Sequence, residues 1–113
     1  MTAQTKYRAK PQAIDGIRFA SKREAKRYTE LMLLQRLGEI RNLRLQVPIM
    51  LEGRDGPVRS RSGRQMRLTV DFAYEDRLLN WATVFEDSKG YATRDYEVRK
   101  GVAEAMGYRI LET

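Results

Sequence analysis

Two apolar runs with regularly placed acids, residues 69–74 and 84–90, constrain the fold more than any other feature of the sequence. Both are typical of β-strands, in which successive side chains point to opposite faces of a sheet. The alternation places Asp71 on the face opposite its apolar neighbours, and in the second run it places Asp87 and Lys89 on a common face. If the two strands are neighbours, these three charged side chains meet at one point.

That arrangement matches the chemistry of phosphodiester cleavage. Two carboxylates can hold a divalent cation, and an ammonium beside them can hold a phosphate or a water. Strand parity also selects between the two adjacent acids of the second run, because Glu86 points away from the face that carries Asp87. The simpler alternative is a hairpin whose charges are solvated near its ends, since Asp-x-Lys is a common tripeptide.

The amino-acid composition limits which binding partners and which metal ligands are possible. The 113 residues suffice for one domain, and 42% of them are hydrophobic, enough for one modest core. The net charge of +7 favours a polyanionic partner, because neutralising phosphates releases counterions, although a basic surface without that role stays open. The absence of histidine and cysteine excludes imidazole and thiolate ligands, histidine bases and disulfides. Any metal must therefore be held by oxygen, which favours magnesium or manganese.

The pattern along the chain predicts an α/β fold in which a mixed β-sheet is flanked by two helices. Residues 1–10 are polar and basic and are expected to form a flexible arm before a single domain over residues 11–113. Pro48 argues for a bulge or an edge position in its strand. No segment resembles a signal peptide or a membrane span, so a cytoplasmic protein is expected. The predicted helices cover about residues 21–37 and 93–106, the strands about 40–51, 67–75, 80–88 and 108–111, with a hairpin over 13–19 and a loop over 52–65.

The first predicted helix carries a third acid of interest, Glu24. The residues from Ser21 to Glu24 have the pattern of a capping box, in which the glutamate reaches back to the serine amide. At about 100° per residue, however, Glu24 falls inside the apolar stripe that contains Tyr28 and Leu31. An acid buried there needs a partner, and a cation is a good one. Capping alone and participation in a metal site both stay open.

These motifs together resemble a known family. The order Ser-Lys-x-Glu-Ala on a helix, then x-x-x-Asp-Phe, then Glu-Asp-x-Lys-Gly is similar to a phage-associated family of uncharacterised proteins. That family resembles the PD-(D/E)-x-K nucleases of the restriction-endonuclease-like fold, and the likeness is closest to the junction-resolving phage endonuclease I and to the transposon end-cleaving nucleases. The resemblance covers about residues 6–100, and one departure is that Val70 stands where many members have proline.

The resemblance implies a site and a function. It implies that the catalytic residues are Glu24, Asp71, Asp87 and Lys89, and that the three acids, with a backbone carbonyl near Ser88, ligate Mg²⁺, with Mn²⁺ able to substitute. The implied activity is magnesium-dependent cleavage of branched DNA, as by a Holliday-junction resolvase, by a homodimer in a bacterial or phage-infected cell. A nuclease on linear or single-stranded DNA and a non-catalytic nucleic-acid-binding protein remain alternatives.

Basic residues outside this site are candidates for DNA contacts, because the guanidinium fork suits phosphate. Each group has an alternative as an ordinary solvated surface, and the arginine-rich loop has a further one as a partly disordered segment. The candidate DNA-binding residues are Lys22, Arg23 and Lys26 on the first helix, Arg59, Arg61, Arg64 and Arg67 in the loop and after it, and Arg94 on the second helix.

Overall fold

The computed structural model of the protein describes residues 12–88 and 92–113, so the predicted arm and Lys89 lie outside the described residues. The two helices are α1 (Lys22–Arg36) and α2 (Arg94–Ala105). The strands are β1 (Gln12–Ile14), β2 (Ile17–Phe19), β3 (Ile40–Met50), β4 (Glu52–Gly53), β5 (Gly56–Pro57), β6 (Arg67–Asp76), β7 (Ala82–Asp87) and β8 (Ile110–Glu112).

The main sheet has the strand order β3-β6-β7-β8. The first three strands run antiparallel to their neighbours, whereas β8 pairs with β7 in parallel after the crossover through α2. A short 3-10 turn over Arg77–Leu79 joins β6 to β7, so the two acid-bearing strands are neighbours as predicted. The predicted mixed α/β fold with two helices is confirmed.

Local signals in the sequence explain where α1 begins and ends. The hairpin before it turns at Asp15 and Gly16, whose φ angles of 54° and 75° suit a tight turn between strands. Ser21 caps the helix by accepting a hydrogen bond from the amide of Glu24. Gly38 follows the helix with a φ of 78°, a conformation that glycine adopts without the steric cost of a side chain.

Strand β3 is an edge strand, as Pro48 predicted. Its pairing with β6 shifts register between Arg41 and Arg44, which marks a bulge. Asn42 within that bulge has a φ of 56°, and Gln46 further along has a φ of 50°. The backbone of β3 therefore departs twice from the extended conformation, and the second departure lies beside Asp71 of β6.

Strand β6 contributes to two hydrophobic clusters. Phe72 and Tyr74 pack against α1, whose buried stripe includes Tyr28 and Leu31. Nearer the start of β6, Val70 and other apolar residues pack with the α2 side chains Tyr96 and Ala103. Asp71 lies on β6 between Val70 of the cluster that includes α2 and Phe72 of the cluster that includes α1.

Residues 52–65 were predicted to form a loop, and the structure differs in part. Strands β4 and β5 form a two-stranded ladder, and Arg59 forms a bridge with Gln65. The backbone amides of Leu51 and Val58 also find carbonyl partners at Met66 and Leu51, respectively. The segment folds back on itself because these hydrogen bonds satisfy its backbone locally, which composition alone did not reveal.

Candidate active site

Strands β6 and β7 separate just beyond the pair formed by Phe72 and Glu86. At this point the amide of Asp71 donates to Oδ1 of Asp87 over 3.1 Å, and the amide of Ser88 donates to Oδ2 of Asp71 over 2.8 Å. Two carboxylates thus take the place of the backbone carbonyls that would continue the ladder. We call Asp71, Asp87 and Ser88 the strand fork.

Within the strand fork Asp87 is buried, whereas Asp71 and Ser88 are partly buried. Asp87 is only 1% exposed, so the alternative of a solvated charge is wrong for this residue. The adjacent Glu86 is equally buried but points to the other side, where it accepts hydrogen bonds from Arg27 and Tyr74. The alternation predicted from the sequence therefore holds, and of these two neighbouring acids Asp87 is the one beside Asp71.

Glu24 reaches the strand fork from α1. It is only 8% exposed and belongs to the buried stripe of the helix, as its position on the helical wheel predicted. The side-chain amide of Gln46 donates to Oε2 of Glu24 over 3.2 Å and to Oδ1 of Asp71 over 3.4 Å. Gln46 therefore links two acids that are distant in sequence. Sequence reasoning missed it, because nothing in the local pattern indicates the left-handed backbone that places it here.

Burial and nearby negative charges shift the pKa of Asp71, the acid at the centre of the site. Burial, together with the nearby charges of Asp87 and Glu24, raises the pKa of Asp71 to about 7, although the hydrogen bond from the Ser88 amide acts in the opposite direction. The three carboxylates are thus close enough to repel one another in a poorly solvated setting. Such an arrangement costs stability, and perturbed groups of this kind cluster at functional sites.

The donor set was expected to hold Mg²⁺. Within the part of the chain that the structure describes, no group of three or more acidic side chains is arranged to hold a metal ion. The amide of Gln46, a donor to both Glu24 and Asp71, supplies the positive end of a dipole between these carboxylates. The donor atoms are nevertheless of the kind that a hard cation prefers, because they are carboxylate oxygens, and positive charge would offset the burial and repulsion that raise the pKa of Asp71. The residues that would hold such a cation are Glu24, Asp71 and Asp87.

A buried ion pair connects the two elements that carry Glu24 and Asp87. Arg27 of α1 donates through Nε to Oε2 of Glu86 over 2.6 Å and through Nη2 to Oε1 over 2.9 Å. Hydrogen bonding to Glu86 raises the pKa of Arg27, which stays charged at any accessible pH. Since Glu86 directly precedes Asp87, this pair fixes the helix against the strand next to the strand fork. No pattern in the sequence indicated this contact, because it depends on how α1 packs on the sheet.

The predicted DNA-binding residues occupy several surfaces. Arg23 and Lys26, with Ser88, line an open cavity of about 260 Å³, so the basic side of α1 adjoins the strand fork. Lys22 is exposed at the start of α1, and Arg94 is exposed at the start of α2. The predicted arginines of the folded-back segment and of the start of β6 are all exposed, namely Arg59, Arg61, Arg64 and Arg67.

These features define a class of protein with a small mixed α/β fold, in which acidic side chains gather where two strands of the sheet separate. The chain belongs to the family described as protein of unknown function (DUF1064), which matches residues 4–112. No curated protein and no solved structure matches the chain. In residues 12–88 and 92–113, neither helix combines the length and the apolar character needed to cross a membrane. Family membership covers almost the whole chain and assigns no activity to it, so the nuclease resemblance stays a prediction.

Proposed function

We propose that this protein is a magnesium-dependent DNA endonuclease whose active site is the strand fork with Glu24. The observation that carries the proposal is the gathering of Glu24, Asp71 and Asp87 from three separate elements, at a cost expressed in the raised pKa of Asp71. Burial and the gathering of three acids at one point raise the pKa of Asp71, and a bound divalent cation would offset the repulsion among them.

The proposed roles follow from the contacts of each residue. When bound, a divalent cation would neutralise charge developing on the phosphate oxygens and lower the pKa of an attacking water. Glu24, Asp71 and Asp87 would hold the cation, and the hydrogen bonds from Gln46 would keep Glu24 and Asp71 in place before it binds. Asp87 also anchors the Asp71 amide through its Oδ1. Arg23 and Lys26 would contact the backbone of the nucleic acid beside the strand fork.

Lys89 completes the proposed site, although it lies outside the described residues. As the predicted partner of Asp87 in Asp-x-Lys, it would orient the attacking water or stabilise charge on the scissile phosphate. Branched DNA is the proposed substrate and a homodimer the proposed assembly, since two symmetric cuts need two sites and one short chain offers one. We place the protein in the cytoplasm of a bacterial or phage-infected cell.

The test is cleavage of a labelled four-way junction and of a matched linear duplex, with magnesium or with a chelator. Asp87→Asn is the decisive variant, because asparagine keeps an acceptor for the Asp71 amide and removes the charge. Glu97→Gln, an exposed acid on α2, is the matched control, and Lys89→Ala guards against contaminating nucleases.

We expect magnesium-dependent cutting that Glu97→Gln retains and that Asp87→Asn and Lys89→Ala lose. The ratio of junction to linear cleavage then decides the substrate class. Tight binding without cleavage under magnesium or manganese would overturn the enzymatic proposal and leave a nucleic-acid-binding protein.

A further inference from the structure

A second basic surface lies near the beginning of β6, away from the strand fork. It is an open groove of about 500 Å³ between the folded-back segment and α2. Three arginines line it, namely Arg64 and Arg67, which are close in the sequence, and Arg99, which is distant from both. We call this feature the arginine groove. Arg99 was not predicted to belong with the other two, because only the packing of α2 beside β6 brings it there.

The three guanidinium groups of the arginine groove are held differently. Arg99 donates through Nη1 to the carbonyl of Arg67 over 2.7 Å and through Nε to Asp95 over 2.9 Å, so it is fixed in position. Arg64 and Arg67 are exposed, and neither forms an ion pair with a residue in the described ranges. The groove therefore presents more positive charge than the nearby acid Asp95 balances, together with guanidinium donors suited to phosphate oxygens.

The arginine groove and the strand fork share one strand. Arg67 and Asp71 are four positions apart on β6, so alternation directs both side chains to the same face. Four positions span about 13 Å along a strand, close to four nucleotide steps of about 3.4 Å each along DNA. A nucleic acid lying along this face would reach both places at once.

The lining also indicates which form of nucleic acid fits. Single-stranded nucleic acids are usually held by aromatic side chains on which the bases stack. The described lining of the arginine groove contains no aromatic residue, and its remaining members include Met50, Ser60 and Gln65. Guanidinium groups without a stacking platform favour contacts to the backbone of a duplex.

We propose that the arginine groove binds backbone phosphates of duplex DNA about four nucleotide steps from the bond that is cut at the strand fork. This inference rests on the proposed function for its choice of DNA, and it adds that the substrate must extend as a duplex along β6. Its test is a binding measurement that does not need catalysis, so that the two proposals can fail separately.

The experiment measures the affinity of the full chain for a duplex of about 20 base pairs, in chelator and over a range of salt concentrations. The test variant is Arg64→Ala/Arg67→Ala, and Arg64→Lys/Arg67→Lys retains the charge. The matched control is Arg36→Ala/Arg77→Ala, which removes the same charge from exposed sites at the other end of the β3–β6 ribbon. Thermal unfolding of each variant verifies that it is folded.

Losing two phosphate contacts should weaken binding about 60-fold at 0.1 M salt and reduce the slope of log K against log salt by about 1.8. The lysine variant should recover most of the affinity, and the control should stay close to the unaltered protein. Wild-type affinity in the alanine variant, or an equal loss in the control, would overturn the proposal. An equal loss of affinity for single-stranded DNA or duplex RNA of the same length would also overturn it, because the groove would not then select duplex DNA.

The two proposals can be tested separately by measuring hydrolysis of a small phosphodiester that is too short to reach the arginine groove. If the alanine variant hydrolyses the ester normally while binding duplex poorly, both proposals stand. If the unaltered protein hydrolyses no phosphodiester yet shows the predicted binding pattern, the proposed function fails and the groove remains a duplex-binding site.

Discussion

The ion pair between Arg27 and Glu86 offers the sharpest test of how the site is held together. Glu86 is fully buried, and its carboxylate accepts two hydrogen bonds from Arg27 and one of 2.7 Å from Tyr74. Replacing Arg27 by methionine keeps much of the side-chain volume but leaves a buried charge with neutral partners. Breaking a buried pair in this way costs about 3–5 kcal/mol, and the partial exposure of Arg27 places this case near 3 kcal/mol.

The assay is urea unfolding followed by circular dichroism, applied to the two single variants and the double variant. We expect Arg27→Met to lower the free energy of unfolding by about 3 kcal/mol and Glu86→Gln by about 2 kcal/mol, since an unpaired Arg27 can still reach water. The double variant should lose only about 2–3 kcal/mol, because it buries no unpaired charge. For a chain of this size, the loss in Arg27→Met corresponds to a decrease in Tm of about 12 °C.

If the losses in the two single variants added up to the loss in the double variant, the reasoning would be refuted, because the two side chains would then not stabilise each other. A loss below about 0.5 kcal/mol in Arg27→Met would refute it as well, since that is the scale of an ordinary surface substitution. The exposed pair of Arg77 and Glu39 is the matched control, and its disruption should cost no more than about 1 kcal/mol.

Three further predictions concern the site and the helix that carries Glu24. Because the pKa of Asp71 is raised to about 7, the folded state holds a proton that the unfolded state releases, and stability falls as the pH rises through about 7. Asp71→Asn should therefore stabilise the protein in chelator by about 1–2 kcal/mol at pH 8, with no gain at pH 4 in the same denaturation assay. Gln46→Glu should bind Mg²⁺ more tightly than Gln46→Ala by calorimetry, and equal affinities would exclude the position of Gln46 from the cation site. Ser21→Ala should cost about 1 kcal/mol of stability through loss of the helix cap, whereas an unchanged urea midpoint would show that the cap is dispensable.

Strand periodicity was enough to predict how the acids are arranged, because alternation depends only on local backbone geometry. It placed Asp71 beside Asp87 and directed Glu86 elsewhere, as observed. Helical periodicity likewise placed Glu24 on the buried stripe of α1. The roles assigned to these residues by resemblance to nucleases stay predictions.

The features that escaped prediction depend on geometry between elements. Gln46 reaches Glu24 because its own backbone adopts a φ of 50°. Few residues other than glycine adopt this conformation, so a glutamine at this position does not predict it. The pairing of Arg27 with Glu86 requires the packing of α1 on the sheet, and the meeting of Arg99 with Arg67 requires the docking of α2. Contacts of this kind follow from tertiary packing, which a single sequence specifies only indirectly.

The irregular course of strand β3 has a consequence for how copies of the chain could assemble. An edge strand has backbone amides and carbonyls that can pair with a strand of another chain, and bulges and prolines in the edge strand hinder this pairing. Here Asn42 and Gln46 interrupt the extended backbone, and Pro48 offers no amide hydrogen. The resulting edge is a poor template for a continuous sheet shared by two subunits. Any homodimer of this protein should therefore form through its helices, the β1–β2 hairpin or the opposite edge at β8, and should leave the outer side of β3 without a partner strand.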